Sequence, residues 1–151
     1  MKKIVHRITG KTWSPEYGDD AWLQDAKKVY TPKGDEEGLL HEVLHWVVAS
    51  AAERTLPNLG LDAEDGVDPD SGMSGLCPDR RESQVAYLTW KIFALREWEL
   101  PRSLVTSARR YPLSPEEERE ADDRLAASGT SVEELASAMS SPVSYFNGLN
   151  K

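Results

Sequence analysis

The stretch Leu39-Leu40-His41-Glu42-Val43-Leu44-His45-Trp46 places two of the chain's three histidines inside an apolar run that continues to Ala52. On a helix, positions i and i+4 lie on one face a turn apart, so His41 and His45 can grip a single metal ion. Glu42, between them, can take the proton of a water bound to that metal. So apolar a helix is a poor place for three ionisable groups that have no partner. The spacing predicts a helix from near Asp35 to about Leu56. Asp35, Glu36 and Glu37 supply negative charge to its first turn, Gly38 leaves room inside that turn, and Pro57 stops it. Leu40, Leu44, Val47, Val48 and Ala51 make its packing stripe.

The chain has 151 residues, enough for one domain with a real core, and a C-terminal helical extension is expected from about 112 to 151. Its 39% hydrophobic and 29% charged content is that of an ordinary globular protein. The net charge of −8 disfavours nucleic-acid binding through phosphate neutralisation and suits a protein partner, a basic one included. Cys77, the single cysteine, leaves no internal disulfide and fits a reducing, cytoplasmic compartment. The lysines at the N-terminus are followed by no long apolar segment, so no signal peptide is expected. No stretch approaches the roughly 20 apolar residues of a membrane span.

Around the central helix, Lys3 to Thr9 reads as a strand, and Lys28-Val29-Tyr30-Thr31-Pro32 as a second. The second is a candidate edge, at Val29–Thr31, for an extended substrate to pair with. Asp19 to Lys27 reads as a short helix. His6, in the first strand, is a ligand candidate but fits packing or surface as well. Asn58 to Asp79 combines four glycines with Asp62, Glu64, Asp65, Asp68 and Asp70 and reads as a long solvated loop whose spacing does not match a calcium-binding loop.

A second long helix is expected from about Asp79 to Leu100. Val85, Leu88, Ile92 and Leu95 form its stripe, supplemented by Trp90, Phe93 and Trp98. Glu82 lies on or beside that stripe and needs a partner, either a metal or an arginine such as Arg54. Ser103 to Arg110 reads as a short helix. Ser114-Pro115-Glu116-Glu117-Glu118 opens another that ends at Ser128-Gly129. Capping-box spacing at Thr130/Glu133 and Ser131/Glu134 opens a last one to about Ser140. The tail, with Val143, Phe146 and Leu149, has the look of a degenerate helix-turn-helix. It has no basic residue before Lys151, so packing is the expected role. The expected fold is thus α+β and mainly helical: an active-site helix on a second long helix, a small N-terminal β-sheet and a C-terminal helix pair.

His41, Glu42 and His45, with a glutamate on the next helix, resemble the gluzincin type of metallopeptidase. That resemblance implies His41, His45 and Glu82 as zinc ligands and Glu42 as general base, with Asp79 and Glu97 competing for the third position. The order of features, from the HExxH helix through the glutamate helix to Pro101 and a helix pair, resembles the ImmA/IrrE group of small metallopeptidases over about Leu39 to Leu149. The long acidic loop and the longer stretch between Glu82 and Pro101 depart from that group. A rival resemblance covers His41 to Arg54, Asn58-Leu59-Gly60, Cys77-Pro78-Asp79-Arg80 and Glu82 with Leu88 and Trp90, which are similar to elongation factor P hydroxylase. There the motif implies an iron site for hydroxylating a protein lysine. The expected activity is a zinc-dependent, peptidase-like hydrolase acting on protein, with an iron oxygenase or a non-catalytic binding protein as alternatives. Tyr30, Tyr87 and Arg81 are the candidates to stabilise an oxyanion.

Overall fold

Helix α2 (Glu36–Val48) is buried round most of its circumference: apolar Leu39, Leu40, Val43, Leu44, Val47 and Val48, each 1% exposed or less, fill one half of it, and Glu42 and His45 are buried on the other. A helix buried to this extent belongs at the centre of a fold, and each such apolar side chain contributes about 1.5–3 kcal/mol of burial. The computed structural model describes residues 1–14, 28–30, 36–55, 59, 61 and 77–140. Within them α2 is packed by α1 (Lys2–Thr9), α3 (Pro78–Leu95) and α5 (Pro115–Ala127). Helix α3 in turn contacts α4 (Arg102–Arg110), α5 and α6 (Val132–Ala138), so α2 and α3 together form the axis of the molecule. Among the described residues, no helix is long and apolar enough to cross a membrane.

The expected α+β class is overturned: among the described residues the chain is helical, with no β-sheet layer beyond a single three-residue pairing. Lys3 to Thr9, expected as a strand, lies in α1. Met1, Ile4, Val5 and Ile8 are spaced i, i+3, i+4 and i+7, and all four join the core, with Val5 fully buried. β-branching suggested a strand there, but the four-residue spacing of the isoleucines decides. Gly10 closes the helix in the left-handed region at φ 70°, donating its N–H to the His6 carbonyl at 2.8 Å. Extended pairing among the described residues is confined to a parallel rung of three residues a side, β1 (Thr12–Ser14) with β2 (Lys28–Tyr30). Of the substrate-pairing edge expected at Val29–Thr31, Val29 and Tyr30 lie in β2, opposite Trp13 and Ser14, and Thr31 lies outside the described residues. The short helix expected at 19–27 and most of the loop expected at 58–79 lie outside the described residues.

Helix α2 is shorter than expected, ending at Val48 rather than near Leu56. Ser50 and Glu53 form a reciprocal cap: the Ser50 N–H donates to Glu53 Oε1 at 2.8 Å and the Glu53 N–H to Ser50 Oγ at 3.1 Å. This capping pair restarts the chain as a 3₁₀ turn, Glu53–Thr55. Helix α3 likewise stops at Leu95, five residues before the expected Leu100. Trp98 N–H reaches the Phe93 carbonyl and Glu97 N–H the Ala94 carbonyl, with Glu97 in the left-handed region at φ 58°. That is a Schellman stop, completed by edge-on contact of the Phe93 and Trp98 rings at 5.4 Å, with glutamate where glycine is usual.

On α3, Val85, Leu88, Ile92 and Phe93 are buried, whereas Trp90 and Leu95 are about half exposed, at 55% and 52%. Trp90 lies about 140° round the helix from Val85, and Leu95 is the helix's last residue. The C-terminal pair follows the expected caps. Ser114 and Glu117 form a full capping box on α5, and Ser131 accepts the Glu134 N–H on α6. Residues 141–151, with the rest of the expected tail, lie outside the described residues.

Candidate metal centre

The first two members of the site come from one face of α2. The His41 and His45 rings meet edge to face, with centroids 4.7 Å apart and Nε2 atoms 3.1 Å apart. The third comes from the second turn of α3: Glu82 Oε1 lies 3.0 Å from His45 Nε2 and its Oε2 lies 3.8 Å from His41 Nε2. The carboxylate thus straddles the two imidazoles, one oxygen toward each. These three residues are the group among the described side chains that offers His, Cys, Asp or Glu ligand atoms all within 4.8 Å of one another. His45 is sealed in, with its side chain 2% exposed, while His41 and Glu82 are each about a third exposed, at 31% and 34%. The cluster therefore has a closed floor and an open side.

The electrostatics suit a cation. Burial, reinforced by neighbouring His45 and only partly opposed by Glu82, pushes the His41 pKa down to about 4, so its ring is neutral at pH 7. Burial alone would raise Glu82. The hydrogen bond from His45 and the charge of both histidines outweigh it and bring Glu82 down to about 2. A neutral imidazole and an ionised carboxylate are the protonation states that metal ligation requires. The donor set fits as well. Zinc–ligand bonds of about 2.0–2.1 Å in tetrahedral geometry place donor atoms about 3.3 Å apart, close to the 3.0 and 3.1 Å separations seen here. Three protein donors leave a fourth position for water or substrate.

Glu42, the expected general base, is 4% exposed on α2, between the two histidines in sequence. The other candidates fall elsewhere. Asp79, in the first turn of α3, and Glu97, in the exposed turn beyond it, do not join the cluster. His6 is exposed on α1, outside the group. Arg54 does not pair with Glu82. Its Nε donates to the Trp46 carbonyl at 2.9 Å, and its guanidinium lies 4.7 Å from the centre of the Trp46 ring. Tyr87 donates to Asp122 Oδ2 at 2.8 Å, and Arg81 is held in buried ion pairs, so neither is poised over the cluster as an oxyanion donor. The Tyr30 side chain lies outside the described residues.

A second polar group, beside the first, escaped the sequence reading. Arg81, next to Glu82, is 6% exposed and forks onto Glu53. Nη2 lies 2.7 Å from Oε1, and Nε lies 3.1 Å from both oxygens. Its Nη1 reaches Gln84 Oε1 at 2.8 Å and Glu120 Oε1 at 2.5 Å. Ser50-x-x-Glu53, the i, i+3 pair Arg81/Gln84 and the i, i+4 pair Glu120/Arg124 were its signals. Each is local and common, and nothing in any one of them shows that they converge. Neither a family model, nor a curated protein, nor a solved structure matches the chain.

Proposed function

We propose that the chain is a metal-dependent, peptidase-like hydrolase of protein substrates that works in the cytoplasm, with zinc held by His41, His45 and Glu82. The observation that carries this reading is the convergence of two imidazole Nε2 atoms and a carboxylate from two helices, 3.0 and 3.1 Å apart, at a partly open position. When bound, the metal supplies Lewis acidity toward a carbonyl and acidifies water. The chain's own residues do the rest. Glu42, shielded from bulk solvent at 4% exposure, accepts the proton of the attacking water and returns it to the leaving amine. Glu82, ionised, offsets positive charge and orients the buried His45 through their 3.0 Å contact. The open side at His41 and Glu82 is where substrate would enter.

One observation favours a second reading. Two histidines and one carboxylate, here converging from α2 and α3, are also the ligand set of non-haem iron oxygenases, so hydroxylation of a protein side chain is the alternative chemistry. Elemental analysis of purified protein, with and without His45→Ala, tests both. Stoichiometric zinc that is lost in the variant, with peptide cleavage that needs Glu42, supports hydrolysis. Iron with substrate-dependent oxygen consumption supports the alternative. Metal retained by the variant would refute the site.

A further inference from the structure

Apolar packing alone sets the α2–α3 spacing only loosely, because greasy surfaces slide with little directional penalty. A metal centre assembled from both helices needs its donors held within about 0.5 Å. The histidines and Glu82 sit on different helices, so something directional must fix one helix against the other. The structure places a buried polar clamp there. Glu53, just past the end of α2, is gripped by Arg81 of α3, the residue adjacent to Glu82. Arg81 continues to Glu120 of α5, which also accepts from Gln84 Nε2 at 2.9 Å. Glu120 lies 3.6 Å from Arg124, and Arg124 donates to the Val48 carbonyl, three residues beyond His45. The Trp46 carbonyl, one residue beyond His45, accepts from Arg54. The turn of α2 that follows His45 is therefore held by side chains, and the same network ends on the neighbour of Glu82.

We infer that Arg81 and Glu53, with Glu120 and Arg124, are positioning residues for the metal centre, setting the α2–α3 register that brings Glu82 onto His41 and His45. This inference rests on the metal-site reading above. Buried ion pairs add little net stability over apolar replacements, so their worth here is geometric: a forked guanidinium tolerates no slip of α3 along α2.

The test measures zinc affinity, by competition with a chromophoric chelator, and the visible absorption of cobalt-loaded protein. The proteins are wild type, Arg81→Met, Glu53→Gln, the apolar double variant Arg81→Met/Glu53→Leu, Glu120→Ala and a control, Arg96→Met. Arg96 ties α3 to α6 through the Ala136 and Met139 carbonyls, away from the centre. Folded Arg81→Met and Glu53→Gln should bind zinc about 10–100-fold more weakly and change the cobalt spectrum. The double variant should recover stability but not affinity. Arg96→Met should lose stability yet keep wild-type affinity and spectrum. Folded Arg81→Met or Glu53→Gln with affinity within about twofold of wild type, or a double variant that regains full affinity, would overturn the inference. If those variants do not fold, Glu120→Ala decides, since its side chain is 37% exposed and its loss is tolerable. Weaker zinc binding in it supports the clamp, and unchanged binding overturns it. A wild-type protein that takes up neither zinc nor cobalt refutes the metal site itself, a distinct result from wild-type binding that the clamp variants share.

Discussion

Replacing Glu82 by glutamine keeps the side chain's size and an acceptor for the buried His45, so the metal-free protein should still fold. What disappears is the charge and the oxygen pair that lie 3.0 Å from His45 Nε2 and 3.8 Å from His41 Nε2. Mutating outer-shell partners alone costs a metal site about 10–100-fold in affinity, so loss of a ligand should cost at least about 100-fold. At a free zinc concentration about 1,000 times the wild-type Kd, binding stabilises the fold by about 4.1 kcal/mol. A hundredfold weaker site at the same zinc concentration yields only about 1.4 kcal/mol. For a domain of this size each kcal/mol moves the melting temperature by about 2–4 °C. Zinc should therefore raise the wild-type Tm by roughly 8–16 °C and that of Glu82→Gln by roughly 3–6 °C. Paired thermal melts in zinc and in chelator measure both shifts. Glu97→Gln, an exposed position, should behave as wild type. Equal zinc-induced shifts in wild type and Glu82→Gln would remove Glu82 from the ligand set and leave the proposed centre with only two donors.

Glu42→Gln should keep zinc at wild-type stoichiometry and abolish cleavage of an unfolded-protein substrate; retained cleavage would exclude Glu42 as the base. Glu97→Gly should raise the urea midpoint by the equivalent of about 0.5–1 kcal/mol, because glycine occupies the left-handed position at φ 58° without Cβ strain. An unchanged or lower midpoint would count against the Schellman account. Leu88→Ala, at a fully buried position, should cost about 2–5 kcal/mol in denaturant unfolding. Burial works to raise the Glu53 and Glu120 carboxyls, but hydrogen bonds from Arg81 and Ser50 to Glu53, and from Gln84 and Arg81 to Glu120, hold both below the ordinary value of 4.5. A carboxyl lowered by folding stabilises above its unfolded pKa, and that contribution is lost as pH falls through the folded value. The stability gap between wild type and Glu53→Gln should thus be full near pH 7 and close below about 4.5, and a gap independent of pH would refute the assignment.

Much of the site was legible because it is written in local spacing. His41 and His45 are four apart, so any helix through them sets their rings side by side, whatever surrounds it. Glu82 was legible as a residue near the buried face of its helix, because Val85 and Leu88 mark that face. The caps at Ser114 and Ser131 were equally local, and both helices start where those serines place them. The misreadings have local causes too. In Lys3 to Thr9, β-branched composition was weighed above the four-residue interval from Ile4 to Ile8, and a helix was taken for a strand. Both long helices were extended too far because their stops lack the usual marks: one is a serine–glutamate cap inside an alanine-rich run, the other a glutamate in a glycine's place.

The partner of Glu82 shows where local pattern stops being informative. Reading from spacing, an arginine such as Arg54 and a metal served equally well. Arg54 instead spans back to the Trp46 carbonyl and stacks on that ring, a contact possible only because α2 ends at Val48 and the chain turns at Ser50. The early stop that removes Arg54 also delivers Glu53 to Arg81, and Arg81 lies beside Glu82 on α3. One capping pair, Ser50 with Glu53, thus bears on two outcomes: it takes the competing cation away from Glu82 and contributes the carboxylate that anchors the next helix. If that account holds, Ser50→Ala should weaken zinc binding through Glu53, although Ser50 touches no ligand. Loss of a cap costs about 0.5–2 kcal/mol, so the variant should fold with its zinc affinity visibly reduced. Wild-type zinc affinity in a measurably destabilised Ser50→Ala would separate the cap from the centre and return the choice of Glu82's partner to apolar packing alone.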